Sequence, residues 1–177
     1  DHNKTLMKRN KYLMHGQLKH DNLSHANQVL TSDIKDVFAF YKNNFEKRIV
    51  LKPVSSALSD SVFYCNNIVE ITKAFNYIKQ KKNVFGKSND SVLIQEYLEG
   101  QQYIVNTISS KGNHFVTDIW KEVSDNYDVP SCDIYSELIS YNEPSYKILK
   151  EYSSDVLNPL GIWNSPTHLE IRLKDNS

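Results

Sequence analysis

The polar and apolar positions change period several times along the chain, and each change predicts an element. Lys4 to His15 carries Leu6, Met7, Leu13 and Met14 at helical spacing, with Gly16 as a stop. Thr31-Ser32-Asp33 offers N-cap oxygens to a second helix, whose Ile34, Val37, Phe38 and Tyr41 share a face. Arg48 to Leu51 and Val62 to Cys65 are short apolar runs, expected as buried strands. Asn67-Ile68-Val69-Glu70 fits a capping box with Asn as the cap. The helix behind it presents Ile68, Ile71, Phe75 and Ile78 and ends in the solvated tail Lys79-Gln80-Lys81-Lys82.

From Ser91 the period falls to two. Strands are expected over Val92 to Leu98, Gln102 to Ser109 and His114 to Trp120, with Lys111-Gly112-Asn113 turning the hairpin between the last two. Alternation places His114, Asp118 and Trp120 on one face of their strand, with Lys121 just beyond. Ser124 to Tyr141, with Pro130 and scattered tyrosines, is expected as an irregular excursion. Pro144 opens a helix running to about Leu157, with Tyr146, Leu149, Tyr152 and Val156 inward, and Asn158-Pro159 ends it. Thr167 to Leu173 closes the chain as a strand. This order argues an α+β fold with mainly antiparallel sheets.

Composition narrows the function classes. Lys+Arg and Asp+Glu both number 21, which removes the basic footprint of a dedicated nucleic-acid binder. No apolar run approaches a membrane span, and no signal-peptide pattern opens the chain. Cys65 and Cys132 lack metal-ligand spacing and are expected as reduced thiols of a cytoplasmic protein. The first residue is Asp1 and a strand-like run lies close to Ser177, so the chain is expected to belong to a longer protein.

Three segments carry candidate chemistry. Lys52 ends an apolar strand, where its ammonium can meet phosphate oxygens; the same side chain could equally reach water along its stem. The run Ser55 to Ser61 can wrap anions with N–H groups and hydroxyls, or serve as an exposed turn; it is no P-loop. In the last strand Thr167, Leu169, Ile171 and Leu173 face one way, and His168, Glu170 and Arg172 the other. Glu170 there can ligate Mg²⁺ or pair with Arg172 on a solvent face.

Taken in order, these segments resemble the ATP-grasp superfamily, most closely its L-amino acid ligase branch with relatives such as carnosine synthase. Asn3-Lys4 with Met7 and Gly16 is similar to the opening helix. VLKPVSSALSDSVFYC resembles the lysine strand and phosphate loop, VLIQEYLEG the adenine hinge, GQQYIVNTISSKGNHFVTDIW the strand pair under the nucleotide, and LNPLGIWNSPTHLEIRL the approach to the metal strand. The resemblance implies that Lys4, Lys52 and Ser59 hold phosphates of ATP, that Gln95, Glu96 and the Leu98 N–H meet adenine, and that Gln102 meets ribose. It makes Glu170 a Mg²⁺ ligand and His168, Arg172 and Lys121 candidates for the phosphoryl end. It divides the chain into an opening helix (1–18), a lid subdomain (19–96) and an incomplete C-terminal subdomain (97–177).

The implied activity is an ATP-dependent carboxylate–amine ligase acting through an acylphosphate. Its partners would be a small carboxylate and an amine, with no nucleic acid and no membrane, and a homodimer is allowed. Alternatives are another ATP-grasp reaction, as in carboxylases or purine-pathway ligases, and a non-catalytic ATP-binding domain. Three departures stand out: no glycine lies between Pro53 and Cys65, Gln102 stands where the family commonly has Glu, and Asn106 where relatives have Asp.

Overall fold

A computed structural model of the chain describes residues 10–57, 59–124 and 133–174. They fall into two compact units, the first of residues 10–16 and 25–97, the second of 17–24, 98–124 and 133–174. The fold is α+β, and every strand pair among the described residues is antiparallel.

The first helix, α1, spans Lys11–His20. The Asn10 carboxamide accepts the Leu13 N–H and caps its start. Gly16 lies inside it rather than ending it. The predicted segment before Asn10 lies outside the described residues.

In the first unit β1 (Gln28–Thr31), β2 (Ile49–Pro53), β3 (Phe63–Cys65) and β4 (Val92–Glu96) form a sheet ordered β1-β4-β2-β3. Its core face is covered by α2 (Ile34–Asn43) and α3 (Ile68–Gln80). Val37, Tyr41, Ile71, Phe75 and Ile78 pack on Ile49, Leu51, Val92 and Ile94. The caps form as predicted: Asp33 accepts from Lys35 N–H, and Asn67 accepts from Glu70 N–H. Ile68 corrects the predicted apolar face, since it is exposed in the first turn while Ala74 takes a core place. Strand β1 was not predicted, its four residues being too short a run to carry a period.

In the second unit β5 (Gln101–Ser110), β6 (Asn113–Ser124), β7 (Asp133–Leu138) and β8 (Ser165–Leu173) are ordered β7-β6-β5-β8. Helix α4 (Pro144–Leu157) buries Leu149 in the core with Tyr103, Val105, Ile119 and Leu173. Strand β7 corrects the irregular excursion expected there; pairing with β6 supplies the ladder that its local sequence does not advertise. Lys111 and Gly112 turn the β5–β6 hairpin with φ of 51° and 79°, the left-handed pair a two-residue turn needs. Cys65 is a free, buried thiol whose pKa burial pushes up to about 12, and Cys132 lies outside the described residues.

Candidate functional site

Each sheet turns one face to helices and carries its polar chemistry on the other. In the first unit the register sets Lys52 opposite Leu93, and Gln95 between Val50 and Gln28. Lys52 and Gln95 therefore share the face away from α2 and α3. Gln95 is buried and donates through Nε2 to Gln28 Oε1 at 3.0 Å. Gln28 in turn donates to the Tyr12 carbonyl of α1 at 2.7 Å. Glu96 points away from this face. Its carboxylate accepts the Asn27 N–H at 2.8 Å, so it is occupied with holding the start of β1. Leu98, in the second unit, is 40% exposed. Lys4 lies outside the described residues.

One histidine on this side was not singled out from sequence. His15 of α1 accepts the Ala26 N–H through Nδ1 at 3.3 Å. Burial, and after it the Lys52 ammonium, lower its pKa from 6.5 to about 4. A neutral ring is thus kept beside the lysine. Nothing in the helical period of Lys4 to His15 signals this, because the partner charge sits on a strand far away in sequence.

The serine loop is built around Asp60. Its carboxylate accepts from Ser56 Oγ at 2.6 Å, Ser61 Oγ at 3.0 Å and the Val84 N–H at 3.0 Å. The Ser56 hydroxyl leads the interactions that hold this carboxyl below its usual range. Asn83 Nδ2 ties the Ser55 carbonyl to the turn that follows α3. Ser59 and Ser61 adopt φ of 53° and 55°, so serines occupy the left-handed positions that glycine would fill without strain.

In the second unit β5 lies between β6 and β8. Gln102 is opposite Arg172, Ile104 opposite Glu170 and Asn106 opposite His168, with Asp118 facing Asn106 from the other side. These side chains share the face away from α4, whose side is taken by Tyr103, Val105, Leu169 and Ile171. Glu170 and His168 are exposed there. Arg172 donates to the Gly100 carbonyl at 3.3 Å and to Gln102 Oε1 at 3.1 Å, so it stands at the Gln102 end of β8. His168 stands at the other end.

Two placements differ from strict alternation. The register shifts between Asn106 and Thr107, so that Asn106 faces Asp118 while Thr107 faces Val116, leaving Thr117 as the extra residue of a bulge. His114 is thereby moved to the α4 side, opposite Ser109, where its ring bonds Ser109 Oγ at 2.7 Å and Asn158 Oδ1 at 3.2 Å. The predicted shared face of His114, Asp118 and Trp120 is corrected accordingly. Lys121 also lies opposite Tyr103 and so on the side away from Glu170.

Asp118 gathers three donors: Asn106 Nδ2, Trp120 Nε1 at 2.6 Å and Thr117 Oγ1 at 2.9 Å. The Asn106 amide leads the interactions that hold its carboxyl below the usual range. Asn106 Oδ1 lies 3.0 Å from His168 Nδ1, which extends the network across three strands. As a cation site this face offers Glu170, a hard oxygen donor suited to a divalent ion that also takes substrate phosphates. Among the described residues no three His, Cys, Asp or Glu side chains converge into a complete cage.

Each unit thus carries polar side chains on the sheet face away from its helices, Lys52 and Gln95 in the first and His168 and Glu170 in the second. The ATP-grasp domain family matches residues 45–177, and the chain belongs to it. Dapdiamide A synthase from Enterobacter agglomerans is 32% identical over 168 residues, covering 94% of this chain and 39% of that protein. The chain thus spans about 39% of that relative's length. Among solved structures, an L-amino acid ligase from Bacillus licheniformis superimposes with a TM-score of 0.72 at 17% identity. That match covers 98% of this chain and 39% of the ligase. The D-alanine-D-alanine ligase from Coxiella burnetii gives 0.75 at 12% identity, covering 98% and 46%. These structural likenesses speak for the fold.

Proposed function

We propose that the chain is the nucleotide-binding part of an ATP-dependent carboxylate–amine ligase. The observation that carries the reading is Glu170, exposed on the polar face of β8, in a chain of the ATP-grasp family. The names of dapdiamide A synthase and the L-amino acid ligase favour an amino-acid type substrate among carboxylates and amines.

In this reading Lys4, Lys52 and the Ser59 loop neutralise and wrap the phosphates. Gln95 and the backbone from Glu96 to Leu98 meet adenine, and Gln102 meets ribose. Glu170 would hold Mg²⁺, which supplies charge neutralisation at the transferring phosphoryl group. A substrate carboxylate oxygen attacks the γ-phosphorus and ADP leaves. The amine nitrogen then attacks the acyl carbon, phosphate leaves, and the nitrogen gives up a proton to solvent. Exclusion of water by the loop protects the acylphosphate between these steps.

The test is Glu170→Gln in the full-length protein, read as ADP release in the presence of candidate amino acids. Turnover should fall on the order of a hundredfold or more, as when a group that stabilises transition-state charge is removed. Wild-type turnover in that variant removes Glu170 from the site. Absence of any Mg·ATP binding by the wild-type protein at millimolar nucleotide overturns the ligase reading itself.

A further inference from the structure

Hydrogen-bond roles along the network Asp118–Asn106–His168 are forced by chemistry. An ionised carboxylate only accepts, so the group of Asn106 facing Asp118 is its amide nitrogen. The other end of the Asn106 side chain is then a carbonyl oxygen, and it faces His168 Nδ1 at 3.0 Å. A carbonyl only accepts, so Nδ1 must carry a hydrogen. In the neutral ring the lone pair is therefore on Nε2, the nitrogen on the far side from Asn106.

The bulge at Thr117 gives an independent reason to regard this as a built arrangement. The extra residue brings the Thr117 hydroxyl onto Asp118 Oδ2, while Trp120 Nε1 occupies Oδ1 beside the Asn106 amide. With its oxygens so engaged, Asp118 cannot turn away, and the Asn106 amide cannot flip without setting its carbonyl against a carboxylate. Bulges that re-aim side chains in this way recur beside active sites. Ligand histidines and working histidines alike are commonly fixed through the nitrogen they do not use.

We propose that Asp118 and Asn106 are positioning residues that hold His168 through Nδ1–H, so that Nε2 is the ring nitrogen presented to the reacting end of the nucleotide. This rests on the ligase reading for what Nε2 meets, but the ring geometry is testable without it. Asn at 106 serves both contacts at once, because an amide can donate to Asp118 while accepting from His168. A carboxylate there would accept from His168 but oppose Asp118.

The experiment uses full-length protein labelled with ¹⁵N-histidine, with the His168 signals identified by their loss in His168→Gln. At a pH where the ring is neutral, the wild type should show Nδ1 as the protonated nitrogen and Nε2 as the unprotonated one. Asn106→Leu should return the ring to the Nε2–H form that an unrestrained imidazole favours, and Asn106→Asp should keep the Nδ1–H form. Asn106→Ala replaces the leucine variant if that protein does not fold. In ATP turnover, Asn106→Leu should lower kcat roughly ten- to a hundredfold with KM for ATP unchanged, as expected of a misaligned group. An Nε2–H ring in the wild type, or an Nδ1–H ring in Asn106→Leu, overturns the proposal. An Nδ1–H wild-type ring in a protein without ATP turnover upholds the positioning and overturns the ligase reading alone.

Discussion

His15 and His168 sit on the polar sides of the two units and use Nδ1 for opposite purposes. His15 accepts a backbone N–H from Ala26 there, and its ring is kept neutral by burial and by Lys52. His168 faces the Asn106 carbonyl with the same atom. The difference follows the chemistry of each face. The first collects a lysine and a loop of hydroxyls and N–H groups, and a second positive charge beside Lys52 would be costly. The second collects Asp118 and Glu170 with amides between them, where a ring N–H has an acceptor ready. The polar face of the first unit thus carries the Lys52 ammonium, and that of the second the carboxylates Asp118 and Glu170.

The second unit is most easily disturbed where β5 begins beside the end of β8. Gly100 has φ of 110°, and a Cβ there would lie 2.5 Å from the Leu173 carbonyl oxygen. Gly100→Ala should therefore push β8 away from the start of β5 and detach Arg172 from its carbonyl. A loss of roughly 3 kcal/mol or more in chemical denaturation is expected from the combined backbone strain and overlap. Unchanged stability would show that the strand ends tolerate movement and that the face is not rigid.

The first unit can be probed through pH. The unfolded chain protonates His15 near 6.5, whereas the folded one does so only near 4. As pH falls through that window the unfolded state takes up the proton first, so stability declines. Above 6.5 the effect vanishes. The full loss on reaching pH 4 is on the order of 3 kcal/mol. His15→Gln should flatten this part of a urea-denaturation profile; an unaltered slope would mean that other groups carry it. A smaller effect is expected of Lys52→Ala, which should weaken Mg·ATP binding about tenfold in calorimetry, the worth of one partly screened phosphate contact. Unchanged affinity would return Lys52 to a lysine that reaches water along its stem.

How much of this was legible in the sequence depends on the range of the interactions. The caps at Asp33 and Asn67, the hairpin at Lys111-Gly112 and the alternation of β8 are local, and each appears as read. In α1 the expected stop at Gly16 is overrun, because the helix continues to His20 and Gly16 costs it only a weak propensity term. The placement of His114 failed at one inserted residue: a single bulge at Thr117 reverses every side chain beyond it, and no local pattern marks it. Asn106 was visible only as a departure from relatives. Its meaning depends on Asp118 and His168, which flank it from neighbouring strands.

The glycine-free loop offers the finest test, because its serines meet competing terms. Ser61 holds φ of 55° and donates to Asp60 at 3.0 Å. Replacement by glycine relieves a left-handed penalty of roughly 1 kcal/mol, but it frees the unfolded chain by about 0.5–1 kcal/mol and deletes a part-buried hydrogen bond. Ser61→Gly should therefore change thermal stability by less than ~1 kcal/mol. Its signature should instead be kinetic. With one tie to Asp60 gone and the backbone freer, hydrogen exchange of the loop amides should quicken while those of β2 stay slow. Unchanged exchange in the loop would mean that Ser56 and Val84 hold Asp60 sufficiently by themselves. Ser61 would then owe its left-handed geometry to the fold around it rather than to its bond with Asp60.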